Sequence, residues 1–142
     1  MYTSLIQSIK TTLESVGSVK KVYPYALREG DKIENYPAVV FFPDSVENSM
    51  ETQADNFKEY RFALYVVCSI GVKTPEQVGT IILPNVVDDV IEAFDKNWSM
   101  AGSSRMWQLI DSGSPWTMPY TDVGTEMSAP LNLRVRTLTQ TT

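Results

Sequence analysis

The longest strand pattern in the chain is too long for the domain that would hold it. From Phe57 to Ile70 the alternate positions Tyr60, Phe62, Leu64, Val66, Cys68 and Ile70 are all apolar, the period of a strand with one buried face. Such a run would reach about 46 Å at roughly 3.3 Å per residue. A compact domain of 142 residues has a radius of gyration of about 14 to 15 Å and a diameter of roughly 37 Å. Either the strand bends sharply, or the β-hairpin it belongs to projects from the body and leans on something else. The second option points to assembly.

Length and composition fit one domain, residues 1–142, with ordinary apolar content (43%) and a core large enough to fold alone. The net charge of −5, with no basic cluster larger than Lys20-Lys21, argues against gripping phosphate backbones, which takes Lys and Arg to neutralise phosphates. Met1-Tyr-Thr-Ser-Leu-Ile6 has no charged n-region before an apolar stretch, and no run of about 18 apolar residues occurs, so the chain reads as soluble and unexported. The single Cys68 lies on the apolar stripe of the long strand, where it forms no intrachain disulfide and packs as a small hydrophobe.

Along the chain, Leu5, Ile6, Ile9, Leu13 and Val16 share one face of a first helix, with Ser4 and Gln7 at capping-box spacing and Gly17 placed to end it. A strand follows near residues 19–23, stopped by Pro24, then a polar turn at 28–32. Tyr36-Pro37 leads into a strand at 38–42, which Pro43 closes. Thr74-Pro-Glu-Gln77 starts a helix, with a kink or restart at Pro84. Leu83, Val86, Val87, Val90, Ile91 and Phe94 then share one face of the main helix. Asp88, Asp89, Glu92, Asp95 and Lys96 share the other; an acidic outer face explains them better than a nuclease-like carboxylate cluster.

Residues 44–56 read as a long acidic hairpin loop carrying Asp44, Glu47, Glu51 and Asp55 and not one basic residue. Long aperiodic loops are uncommon in compact domains. This one is expected to be a mobile, solvated tip, or a segment that orders against a partner or lines a pore. It lacks the tight offsets and the Gly of a divalent-cation loop, so no metal is assigned to it.

All three tryptophans and three of the six methionines fall between Trp98 and Met118. Strands are expected near 105–111 and 116–121, joined by a Ser112-Gly-Ser-Pro115 turn. Trp107, Trp116 and Met118 serve either the core or a subunit contact, since Trp and Met suit both. A last strand spans 127–138, with Leu131, Leu133 and Val135 on one face and Asn132, Arg134 and Arg136 on the other. The tail, 139–142, should fray.

Catalytic equipment is sparse. No histidine exists, which removes the commonest general base and a usual metal ligand, and a lone Cys has no His to activate it. No Gly-x-Ser-x-Gly, phosphate-cradling loop or Cys/His metal spacing occurs. The expectation is a protein that is not an enzyme and needs no cofactor.

The element order gives an α+β domain: a mainly antiparallel sheet, two helices packed on one face, and a projecting β-hairpin. In that order Tyr36-Pro-Ala-Val-Val40, the acid-rich loop, Tyr60-Arg-Phe-Ala-Leu-Tyr-Val-Val67, the Thr-Pro-Glu helix and Leu131-Asn-Leu-Arg-Val135 resemble the tail terminator (tail completion) proteins of long-tailed bacteriophages. The resemblance implies a homo-oligomeric ring, typically six-fold, that caps the tail tube, stops its polymerisation and meets the head-tail connector, with DNA passing through the hole without tight binding. It places the protein in the head-proximal end of the virion tail, and in the host cytoplasm during assembly. It assigns no residue roles. The residues add that Ala63, Tyr65 and Val67 make the second face of the long strand apolar too, so both faces need cover. Another neck or head-completion protein, or a small binding domain unrelated to virions, is the alternative.

Overall fold

The computed structural model describes residues 2–28, 31–50, 55–69, 75–98, 106–111 and 126–140. The chain forms helix α1 (Tyr2–Glu14), strands β1 (Lys21–Tyr23), β2 (Ala38–Met50) and β3 (Asp55–Ser69), then a helical stretch and strands β4 (Met106–Asp111) and β5 (Glu126–Gln140). The helical stretch is a short α2 (Pro75–Gln77), a π-helical turn (Val78–Ile82) and α3 (Leu83–Lys96). One five-stranded sheet has the order β1-β2-β3-β5-β4. Every pairing is antiparallel except β1 with β2, so the fold is the expected α+β class with a mostly antiparallel sheet.

Both helical units cover the same face. Leu5, Ile9 and Leu13 of α1 and Val86, Val90 and Phe94 of α3 join Val39, Phe41, Phe62, Leu64, Val66, Leu131, Leu133 and Val135 in one buried core. Each such Leu, Val or Phe contributes about 1.5–3 kcal/mol by leaving water. The alternation read over β3 is borne out from Tyr60 to Cys68, all buried; Ile70 lies outside the described residues. At the end of the helix layer Tyr2 closes edge-on against Tyr60 and Phe62, with ring centroids 5.0 and 6.0 Å apart. Cover over β2 ends there, because Val46, opposite Tyr60, is 42% exposed.

Several expectations are corrected. Residues 44–50 are strand, not loop: β2 continues past Pro43 to Met50 and β3 begins at Asp55. The ladder pairs Pro43 with Phe62 and Ser45 with Arg61, leaving Asp44 unmatched as a bulge. One extra residue shifts the alternation by one, so Val46 resumes on the helix side, and a strict period of two loses the strand. Pro43 is tolerated because β1 covers β2 only from Ala38 to Val40, and beyond that β2 is an edge, where a missing N–H costs little. Strand β5 runs on into the tail, where Thr139 pairs with Asn56 and Gln140 with Asp55; residues 141–142 lie outside the described residues. The hairpin of β2 and β3 is joined by a third strand, since β5 accompanies β3 from Asp55 to Ser69. Ser4 lies inside α1 rather than capping it.

The expected discontinuity at Pro84 takes the form of the π turn, in which the Leu83 N–H donates to the Val78 carbonyl. Widening the turn before a proline relieves the clash of its ring with the preceding turn. The expected turn at 112–115 and strand at 116–121 lie outside the described residues.

Candidate interaction surface

The sheet face away from the helices can be written out from the register. Its first row is Phe57 and Leu138, the next Glu47, Glu59, Arg136 and Trp107, then Arg61, Arg134 and Leu109. Phe42, Ala63, Asn132 and Asp111 follow, and then Tyr23, Val40, Tyr65 and Pro130. Two apolar zones are thus separated by a charged belt.

The belt is ion-paired across strands. Arg61 bridges Glu47 at 3.0 Å and Glu59 at 2.8 Å, Arg136 approaches Glu59 at 3.5 Å, and Arg134 meets Asp111 at 3.0 Å. Burial alone would raise the Glu59 carboxyl, but the hydrogen bond from Arg61 and the charges of Arg61, Arg134 and Arg136 hold it below the usual carboxylate range. Its side chain is only 12% exposed, although no described helix covers this face. Exposed pairs such as Glu47–Arg61 add little to stability because solvent screens them; their role is to set a charge pattern.

In this belt lies a groove of about 440 Å³ lined by Phe57, Glu59, Trp107, Leu109, Arg134 and Arg136. Leu109 is 53% exposed, Trp107 is half-buried, and the Arg136 guanidinium lies 6.0 Å from the Phe57 ring. Strand β4 is fixed to the helix layer from behind: the Gln108 N–H donates to the Trp98 carbonyl at 2.7 Å, and its buried side-chain amide donates to the Asn97 carbonyl at 2.8 Å. Trp107 and Leu109 are therefore presented outward from a strand tied to the helix layer.

The other apolar zone is largely covered by the chain itself. Leu27 and Ile33, from the segment after β1, pack on Tyr23, Ala38 and Val40. Val67, expected as a subunit contact, is buried at 6% exposure, and Ala63 is half-buried. Tyr65, 37% exposed and stacked on Phe42 with centroids 6.0 Å apart, remains available. The second face of β3 is therefore partly closed at its Ser69 end, where Ala26, Leu27 and Ile33 line a pocket with Tyr65 and Val67, and open toward Phe57.

Of the acidic residues read as a loop, Asp44 and Glu47 sit on the outer face. Asp44 shares a groove with Arg61, Asp111, Asn132 and Arg134, and Glu47 is paired with Arg61, so their charge is compensated from β3 and β5. Asp55 opens β3; Glu51, Trp116 and Met118 lie outside the described residues. Among the described residues no three Asp, Glu or Cys side chains gather as a cation site would require, and no helix is long and apolar enough to cross a membrane.

The ion-paired belt escaped the sequence reading. Its signal was Glu59 and Arg61 alternating with Tyr60 and Phe62, and Arg134 and Arg136 alternating with Val135; only the strand order brings the two sets together. No protein-family model matches the chain, and no curated protein aligns with it.

Proposed function

We propose that the chain is a structural virion protein that caps the phage tail tube as a homo-oligomeric ring, six-fold by its resemblance to tail terminators, and joins it to the head-tail connector. The observation that supports this best is the outer sheet face, where Trp107 and Leu109 stand in an ion-paired frame on a strand tied to the helix layer. Exposed aromatic and aliphatic groups rimmed by charge are the composition of a protein–protein contact. The role is architectural rather than catalytic, and it needs no cofactor. DNA passes through the hole without being held: six chains carry 6 × (−5) = −30 formal charges, and like charge keeps the strand off the wall.

The test uses purified protein added to growing tail tubes. Tubes should stop elongating, with the protein at one end only. Tubes that elongate unchanged and carry no cap would end this reading. Leu109→Asp should abolish capping while shifting stability by less than about 0.5 kcal/mol, as surface changes usually do.

A further inference from the structure

The ring reading leaves open which surfaces join neighbouring subunits, and the structure offers a matched pair on opposite sides of the sheet. One is the outer groove, where Trp107 and Leu109 are flanked by Arg134 and Arg136. The other is a ridge on the helix layer. Ile81, in the π turn, is 57% exposed, and the exposed residues Asn85, Asp88, Glu92 and Asp95 follow it along one side of the helix. Val78 and Leu83, on either side of Ile81, are fully buried, so Ile81 is turned away from the core. π-Helical turns are frequent at functional sites.

The geometry points to a head-to-tail contact, resting on the ring reading, in which the Ile81–Asp95 ridge of one copy seats in the outer groove of the next. The chemistry matches end to end. Ile81 fits the apolar floor at Trp107 and Leu109, and the acids meet the arginines of the rim. Arg136 is 60% exposed and meets Glu59 only at 3.5 Å, the longest pair of the belt. On the ridge only Lys96 opposes the acids, and it is tied to Glu92 at 2.8 Å.

The spacing also fits. Asp88 lies seven residues beyond Ile81, about 10 Å along a helix, which is about two inter-strand spacings. With Ile81 over β4 and the helix running across the strands, the ridge passes over Arg134 and Arg136 of β5 and Asp88 reaches Arg61 of β3. Because ridge and groove occupy opposite faces of the same chain, the contact is heterologous and propagates in one sense around a ring.

Cysteine cross-linking tests the contact directly. In the Ile81→Cys, Leu109→Cys double variant, oxidation should yield a ladder of covalent multimers ending at the ring. Cys68, at 1% exposure, stays out of reach. Arg134→Glu with Arg136→Glu should weaken assembly by about tenfold or more, and adding Asp88→Lys should restore part of it; thermal transitions check that each variant folds. If the reversed-arginine variant fails to fold, the cross-link alone decides. Wild-type rings together with a double-cysteine variant that stops at dimers would overturn this contact and leave the ring standing, as would cross-linking to a tube subunit instead of a second copy. A wild-type chain that forms no ring, free or on tubes, would overturn both.

Discussion

At the residue scale, two side chains make predictions that do not depend on function. Thr137 is 3% exposed and its hydroxyl has no hydrogen-bond partner among the described residues. A buried, unsatisfied hydroxyl costs free energy that an isosteric methyl does not. Thr137→Val should therefore raise stability by about 1 kcal/mol in urea unfolding; an equal loss would show that the hydroxyl is satisfied. Tyr36 donates its hydroxyl to the Glu126 carboxylate at 2.9 Å. Burial first, and then this hydrogen bond and the Glu126 charge, push its pKa up from 10.0 to about 12. The folded state then holds a proton that the unfolded chain releases, so this contribution to stability is fully present below pH 10 and is lost as the pH rises toward 12. Tyr36→Phe should flatten the fall in stability across that window. An unchanged slope would mean that Tyr36 titrates alike in both states.

At the scale of elements, what was legible followed from unbroken periodicity. The face of α3 and the buried side of β3 are each one residue class repeating at one period, and both are found as read. The failures have local causes. One bulged residue, Asp44, breaks the phase of β2, and Pro43 supplies a false stop; neither matters to a strand whose outer edge is free. Deleting Asp44 should join Pro43 and Ser45 into a regular ladder while keeping Val46 on the helix side. The variant should fold with stability within about 1 kcal/mol of the parent by thermal unfolding. Failure to fold would show that the bulge's twist is needed to fit β2 over α1. Gly79 sits in the π turn, where an added methyl would lie 3.4 Å from the Met127 side chain. The flexible thioether can yield, so Gly79→Ala should gain up to about 1 kcal/mol by helix propensity. A loss would mean that Met127 is held fast.

At the scale of the whole molecule, the candidate surface was only half legible. Trp107, Tyr65 and the second-face pattern of β3 were readable as candidates for contact. That Val67 is buried beside Ala26, Leu27 and Ile33, and that Glu47, Arg61, Glu59 and Arg136 form one belt, depends on strand order and on how a connecting segment crosses the sheet. Neither is encoded in local pattern. Exposed apolar groups remain on both sides of the sheet, Ile81 on the helix layer and Leu109 on the outer face, and the proposed ring would cover them.

The most direct test of that account is the mass of the purified protein across a wide concentration range, by light scattering or native mass spectrometry, with and without tail tubes. A single closed species is expected, at 6 × 16.0 = 96 kDa for a six-fold ring, free in solution or formed on the tube end. A strict monomer at high concentration that also fails to assemble on tubes would contradict it.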